Sequence, residues 1–472
     1  MKAATLRHAP IWAPDIARDS GPLYMLIADA LERDMRTGVL APGAKLPAHR
    51  VLGDALGVDF TTITRAYTEA RRRGLIEGRA GQGTFVLPQA PVTAPSRGPD
   101  TGAIDMTMNL PPRFENSTVS DLMWSDIAAL GGGDAGLETL LQYHVPGGTL
   151  SDREVGAGWL SDRIPGVSAH DVLLTSGAQG AIFALFAALV PEGGTILSAN
   201  LTYPGMITAA EYLRLRTVGL QMDTDGILPD AFEEACRVHP RAVLYINPTL
   251  HNPTAITMSL SRRKEILRIA QEHAITIIED DAYGALVPDA PPPLRVLAPD
   301  AVFYIAGLAK CLSPALRVSY LVMPKGHRRQ THDIETAIRA TAAVVSSLTA
   351  AVAAKWITSG TAARVIQEIR TETRHRHALG LKRLPEVFSH QPEGAFHVWL
   401  NLPDNLKRAD FQARLGTVGV GVVPSDAFAI GPAPEAVRLS LGAAKGRVEL
   451  ERGLRYIADA LHKTPQAKAF VV

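Results

Sequence analysis

From Val172 onward, short apolar runs alternate with longer helical ones, and this rhythm limits the architecture of the chain more than any other feature. The runs are Val172-Leu173-Leu174, Thr195-Ile196-Leu197, Ala242 to Ile246, Ile275 to Ile278, Val302 to Ile305 and Tyr320-Leu321-Val322. Continuous apolar strands are buried on both faces, and helical stretches between them serve as crossovers. The pattern therefore predicts an α/β domain with a mainly parallel sheet and helices on both faces. From about Thr361, basic helical segments mix with strands such as Phe396 to Leu400 and Val437 to Leu441, which predicts a smaller α+β lobe.

The N-terminal part follows a different pattern. Leu23, Leu26, Ile27, Ala30 and Leu31 recur at helical spacing, with Gly38 as a stop and a turn at Ala41-Pro42-Gly43. His49 to Leu56 reads as a short second helix, broken by Gly57, and a third runs from about Thr61 to Arg73. Leu75-Ile76-Glu77 and Thr84 to Leu87, separated by Gly78, Gly81 and Gly83, read as a hairpin. Three helices and a hairpin make a winged helix-turn-helix, assigned to residues 20–88. Residues 89–105, dense in Pro, Gly, Ser and Thr, are predicted to be a linker, and 106–472 to be the α/β domain.

Composition narrows the class. The 472 residues, 46% hydrophobic and 20% charged, suit a globular protein of several folded units. A net charge of +1 argues against wholesale coating of nucleic acid but leaves room for a basic face on one domain. Cys236 and Cys311 cannot build a disulfide framework in a chain of this size, which predicts a reducing, cytoplasmic location. Met1 to Trp12 has no apolar core of secretory length, so no signal peptide is expected. Ala181 to Val190 and Thr341 to Trp356 fall short of the roughly 20 residues a membrane span needs, so both are expected to be core helices and no membrane partner is expected.

A helix-turn-helix reads double-stranded DNA by laying its second helix in the major groove, where short polar side chains and Arg reach bases and phosphates. Thr61, Thr62, Thr64 and Arg65 provide such groups. Between Asp59 and Pro88, Arg65, Arg71, Arg72, Arg73 and Arg79 face only Asp59, Glu69 and Glu77. Arg71 to Arg73 either join the DNA-facing surface or form a solvated helix face. Lys45-Leu46-Pro47-Ala48-His49-Arg50, Leu56 to Tyr67, and Gly81-Gln82-Gly83-Thr84-Phe85-Val86 together resemble the GntR winged helix. The resemblance implies DNA contacts from Arg50, Thr61, Thr62, Arg65, Gln82 and Gly83. Two places depart from the family pattern: Ala48 stands where Ser is usual, and Asp59-Phe60 where Ser-Arg is common, which removes a phosphate contact and adds a negative charge.

Leu174-Thr175-Ser176-Gly177-Ala178-Gln179 follows a strand and opens a helix, where small residues let backbone N–H groups approach a phosphate. Further motifs follow in order: Leu201-Thr202-Tyr203-Pro204-Gly205, His251-Asn252-Pro253-Thr254, Asp280 with Tyr283, Ala306-Gly307-Leu308-Ala309-Lys310 leading to Arg317, and Val437-Arg438-Leu439-Ser440. This series resembles the fold-type I aminotransferases, which use pyridoxal 5'-phosphate. The resemblance implies that Lys310 is the lysine that takes the cofactor's aldehyde and that Asp280 pairs with the pyridinium nitrogen. It assigns the ring's 3-oxygen to Tyr283 and Asn252, the phosphate to Gly177, Ala178, Gln179 and Arg317, and ring stacking to Tyr203. Arg438 would bind a ligand carboxylate through its planar fork. Tyr143 resembles the tyrosine that reaches a neighbouring subunit's cofactor phosphate, implying a homodimer. Gly307 and Ala309 replace expected serines, so weaker cofactor retention is expected; Ala255 replaces a usual Gly and Leu201 a usual Pro, departures that bear on catalytic efficiency more than on fold.

A GntR-like module joined by a linker to an aminotransferase-like domain resembles the MocR regulators. That resemblance implies a dimeric transcription regulator in which an amino acid or amine effector forms an external aldimine, displacing Lys310 and altering operator binding. Two alternatives stay open: a working aminotransferase with an accessory DNA-binding module, and a sensor of the cofactor itself. Arg374-His375-Arg376-His377 is expected to be a solvated helix face, and no metal is predicted.

Overall fold

The computed structural model of the chain describes residues 12–16, 21–36, 39–41, 43–79, 81–87, 102–114, 117–131, 138, 140–325, 328–341 and 344–462. The chain divides into two compact units, Met1–Asp100 and Thr101–Val472.

In the first unit, helices α1 (Leu23–Arg36), α2 (His49–Leu56) and α3 (Phe60–Arg72) precede an antiparallel hairpin of β1 (Ile76–Arg79) and β2 (Gly83–Val86). Residues three and four apart on each helix turn inward together, so Ile27, Leu31, Leu52, Ile63, Ala66, Tyr67 and Ile76 form one core. Gly57, at φ +62°, ends α2 in the left-handed region that its missing Cβ allows. Helix α3 starts one residue before the expected Thr61 because Asp59 caps it, its carboxylate accepting from Thr61 N at 2.8 Å. The expected stop at Gly38 lies outside the described residues.

Of the three arginines in the basic run, Arg73 is held against the fold while Arg71 and Arg72 are exposed. Arg72 pairs with Glu69 at 2.7 Å, and Arg73 bridges Glu69, Asp29 and Glu32 at 2.8, 2.6 and 3.1 Å, tying α3 to α1. Arg71, and Arg72 beyond its pairing with Glu69, remain as candidates for the solvated or DNA-facing role.

The second unit is built on β4 (Val172–Thr175), β5 (Thr195–Ala199), β6 (Arg216–Leu220), β9 (Val243–Ile246), β10 (Thr276–Asp280), β11 (Val302–Gly307) and β12 (Ser319–Val322), with β3 (Ile104–Asp105) before them and a small hairpin of β7 (Met222–Asp223) and β8 (Gly226–Ile227) between β6 and β9. Their order is β4-β12-β11-β10-β9-β5-β6. All neighbours run parallel except β12, which is antiparallel to β11 and β4. Successive strand residues point to opposite faces. Ile278, Phe303 and Ile305 therefore pack beneath helices Gly177–Leu189, Pro204–Tyr212 and Arg328–Ala340, while Leu244, Ile277 and Val302 pack beneath Pro229–Val238 and Leu260–Glu272. The edge strand β6 was not among the expected runs; of its five residues only Leu220 is buried, so it lacks the continuous apolar signal.

The smaller lobe is a three-stranded antiparallel sheet, β13 (His397–Asn401), β16 (Ala436–Ser440) and β15 (Val423–Pro424), while β14 (Val420–Gly421) pairs in parallel with β3. The predicted linker therefore extends too far. Ile104 is buried and its N–H donates to Gly419 O at 2.7 Å, so residues 104–105 belong to the lobe. Thr341 to Trp356 is not one helix either: Arg328–Ala340 ends before it, and a new helix spans Ser347–Thr358. The Arg374 to His377 face is also corrected, because Arg376 and His377 are buried. Arg376 pairs with Glu372 at 2.7 Å and donates to Leu441 O and Ala444 O, so the segment fastens helix Thr361–Arg383 to the lobe.

Candidate cofactor site and DNA-reading face

The ends of β10 and β11 and the turns that follow them bring the expected ligand groups together. Asp280 is the last residue of β10, Tyr283 begins the following turn, and Lys310 lies in the turn after β11. All three are buried or nearly so. Tyr245 OH donates to Asp280 Oδ2 at 2.7 Å, whereas Asp280 Oδ1 is buried without a hydrogen-bond partner. Burial raises the Asp280 carboxyl to about 6, against the pull of the Tyr245 hydrogen bond, and Asp281 raises it further. Burial, and then the Arg438 charge, lower the Lys310 ammonium to about 8, with Asp280 opposing.

Arg438 comes from β16. Its Nη1 donates to Asn252 Oδ1 at 2.9 Å and its Nη2 to Thr107 O at 2.6 Å, its guanidinium lies 4.8 Å from the Phe428 ring centre, and its buried Nε has no partner. Asn252 is fixed from behind, its backbone N–H donating to Asn247 Oδ1 at 2.9 Å. Burial raises the Tyr283 phenol.

The phosphate-type pocket is formed at the N-terminus of helix Gly177–Leu189. Ser176 makes no side-chain cap there, so the first N–H groups of the helix are left for a ligand. A Cβ on Gly177, at φ +74°, would lie 3.5 Å from the Arg317 guanidinium carbon, which places that cation at the helix start. Gln179 Nε2 donates to Gly205 O at 2.7 Å, and a Cβ on Gly205 would overlap Gln179 and the Tyr203 ring, so only glycine permits this approach. Ala178 lies against Gly307, whose added Cβ would be 3.4 Å from Ala178 Cβ. An uncapped helix start beside an arginine and an unpartnered buried carboxylate oxygen beside a depressed lysine fit a phosphate-bearing pyridoxal ring.

Tyr143 is the one predicted site residue that is not brought to this cluster, its side chain standing fully in solvent. Sequence reasoning missed Asn109, Thr107, Tyr245, Asn247, His251 and His397. Asn109 Nδ2 donates to the Tyr283 hydroxyl at 2.7 Å, and Asn109 O accepts from Lys310 Nζ. His397 Nε2 lies 3.1 Å from His251 O beside the Tyr283 ring, and burial lowers the two imidazoles to about 3 and about 4, keeping both neutral. An Asn-Leu-Pro-Pro break just after an apolar Ile-Asp-Met run was the available signal for Asn109. Cys311, next to the lysine, is a buried thiol pushed up to about 12 by burial.

On the first unit, Arg50, Thr61, Arg65, Gln82 and Gly83 are exposed, while Thr62 and Thr64 are half-buried. The hydroxyls of Thr61 and Thr64 are already engaged, with Asp59 and with Phe60 O. Arg65 stacks over the Tyr24 ring at 4.4 Å, and Gly81 and Gly83 take positive φ in the hairpin turn. Among the described residues, no group of three or more His, Cys, Asp or Glu side chains could hold a metal, and no helix is long and apolar enough to cross a membrane.

Residues 23–86 match the gntR family of bacterial regulatory proteins, and residues 141–457 match aminotransferase class I and II. An uncharacterized HTH-type transcriptional regulator of Bacillus subtilis, YdeF, is 31% identical over 95% of this chain and 96% of its own. A 2-aminoadipate transaminase of Thermus thermophilus is 29% identical over 69% of this chain and 82% of its own. The crystal structure of LysN, an alpha-aminoadipate aminotransferase from Thermus thermophilus complexed with N-(5'-phosphopyridoxyl)-L-leucine, superposes with a TM-score of 0.68 at 26% identity, covering 76% of this chain and 92% of that one.

Proposed function

Because the chain belongs to the class I and II aminotransferases and carries a gntR-type winged helix at its N-terminal end, the fusion found in MocR-type regulators, we propose that it is a transcription regulator that binds a DNA operator and senses an amino acid or amine through pyridoxal 5'-phosphate held on Lys310. The observation that carries this reading is a buried lysine amine, lowered by its burial, within the field of the buried Asp280 carboxylate, whose second oxygen has no partner.

Bound there, pyridoxal phosphate supplies an electron-withdrawing ring and an aldehyde that amines capture. Lys310, lowered to about 8, presents a substantial fraction of free amine near neutral pH and so acts as nucleophile. Asp280 Oδ1, left without a partner, would accept from the ring nitrogen, and the Asp280 charge would favour a proton there. Tyr283 OH and Asn252 Nδ2 are the donors left for the ring's 3-oxygen, since Asn252 Oδ1 is taken by Arg438. The helix start at Gly177-Ala178-Gln179, with Arg317, would hold the phosphate, and Tyr203 would cover the ring. Arg438 takes the carboxylate of an amino-acid effector. Fully exposed Tyr143 is assigned to the neighbouring subunit of a homodimer, and the cytoplasm, where operators are, is the assigned location.

Purified chain supplied with pyridoxal phosphate is expected to gain a long-wavelength absorbance that borohydride fixes to the Lys310 peptide and that Lys310→Ala loses. Cofactor fixed to another lysine would overturn the assignment. The likeness to a 2-aminoadipate transaminase and the presence of Asp280, Tyr283, Lys310 and Arg438 favour a second reading, a working aminotransferase. Sustained turnover of an amino donor with a keto acid would support that reading over pure sensing.

A further inference from the structure

Residues 107–109 hold three functional side chains of the ligand site at once. Thr107 O accepts from Arg438 Nη2 at 2.6 Å, Asn109 Nδ2 donates to the Tyr283 hydroxyl at 2.7 Å, and Asn109 O accepts from Lys310 Nζ. The segment is anchored at its start: Ile104 N donates to Gly419 O, Met106 N to Gly421 O and Ser440 N to Met106 O, at 2.7, 3.0 and 2.9 Å. Between the anchors and Asn109, Met108 is exposed.

Resting on the roles given above to Lys310 and Arg438, we propose that Thr107–Asn109 is a strap that competes with the effector's carboxylate for Arg438, and that Asn109 is a positioning residue for Tyr283. A side-on carboxylate fork uses Nε and Nη2; Nε is without a partner and Nη2 is bonded to Thr107 O, so the effector's carboxylate and the Thr107 carbonyl draw on the same nitrogen. The Thr107 carbonyl, which also accepts from Ser440 Oγ at 3.4 Å, lies next to exposed Met108 and is the strap contact that the carboxylate displaces. Lys310 also has fewer protons to donate to Asn109 O once its nitrogen is bonded to the cofactor. The buried Asn109 Oδ1 is unpartnered, as expected of a group that completes its bonding only in the liganded state. The strap directly follows, along the chain, the segment that leads from the DNA-binding unit, so its release changes the element nearest that segment. A ligand shifts such an equilibrium only through its different affinities for the two states, and competition for one guanidinium supplies that difference.

The test uses the full chain loaded with pyridoxal phosphate and acetate as probe. An anion seated on Arg438 favours the protonated form of the nitrogen that links Lys310 to the cofactor, so acetate raises the pH at which the cofactor absorbance titrates. The dependence of that rise on acetate concentration reports acetate affinity. Asn109→Ala removes the strap's side-chain anchor and is expected to tighten acetate binding by roughly 2- to 10-fold. Without acetate, the titration is expected to move up by roughly half to one pH unit, because Tyr283 loses the donor that makes it a better hydrogen-bond donor itself. In the unmodified sequence, acetate is expected to speed hydrogen–deuterium exchange in a peptide covering 104–110, a readout that stands even if Asn109→Ala does not fold. Unchanged or weaker acetate binding in Asn109→Ala, or unchanged exchange, overturns the strap. Absence of any lysine-bound absorbance in the unmodified chain overturns the reading of Lys310 instead, so the two failures are distinguishable.

Discussion

Burial determines the chemistry of Lys310 before any ligand arrives. An amine at its ordinary value near 10.5 would be almost wholly protonated at pH 7; at about 8 its free fraction is larger by roughly 300-fold. Only the free amine attacks an aldehyde, so capture of pyridoxal phosphate by cofactor-free protein is expected to rise with pH to a plateau with a midpoint near 8. Because the Arg438 charge contributes to the depression, Arg438→Leu is expected to move that midpoint upward. Stopped-flow absorbance across pH 6 to 10 checks both; a midpoint above 10 in the unmodified chain contradicts the burial argument. At this scale the sequence was informative about groups that chemistry requires, because Lys310, Asp280, Tyr283, Asn252 and Arg438 sit in ordered motifs. It was silent about Asn109, Thr107, Asn247 and Tyr245, which act through a backbone carbonyl or by holding the side chain or backbone of another site residue. Their contacts span 201, 331, 5 and 35 positions of sequence, and only the 5-residue one is local.

Helix α3 shows how an element-level reading can have the right position and the wrong consequence. Asp59 looked like a charge opposed to DNA, yet its carboxylate caps the helix and engages both the N–H and the hydroxyl of Thr61. Asp59→Ala is therefore expected to lower the melting temperature of the first unit through loss of the cap. Asp59→Ser should retain most of that stability while removing the negative charge, and so should bind operator at least as tightly as the original. Thermal melts and operator titrations of the two variants separate capping from charge; equal melting of Asp59→Ala and the unmodified chain would remove the cap argument. The strands buried on both faces were legible because every residue of β4, β9, β11 and β12 is apolar or paired inside the sheet. Strand β6 was not, because an edge with one buried residue reads like a loop. The Arg374 to His377 run misled for a related reason: an arginine is buried when a carboxylate one turn away on its own helix and carbonyls across the interface pair with it, and Glu372, Leu441 and Ala444 provide them.

For the whole molecule, the division into a winged helix and an aminotransferase-type unit was readable from two changes of pattern, one of composition and one of period. The linker's far end was less so, since Ile104 and Asp105 join the lobe through backbone pairing with β14 that composition does not encode. The central claim is that the ligand chemistry of one unit governs DNA binding by the other, and this is a statement about free-energy coupling. It is tested most directly by titrating a fluorescent operator with the cofactor-loaded full chain, with and without each amine of an amino acid panel, in parallel with Lys310→Ala. The account predicts that at least one amine changes operator affinity in the unmodified chain and that Lys310→Ala loses this response while still binding DNA. A response that persists in Lys310→Ala, or no response to any amine from a fully loaded chain, would contradict it.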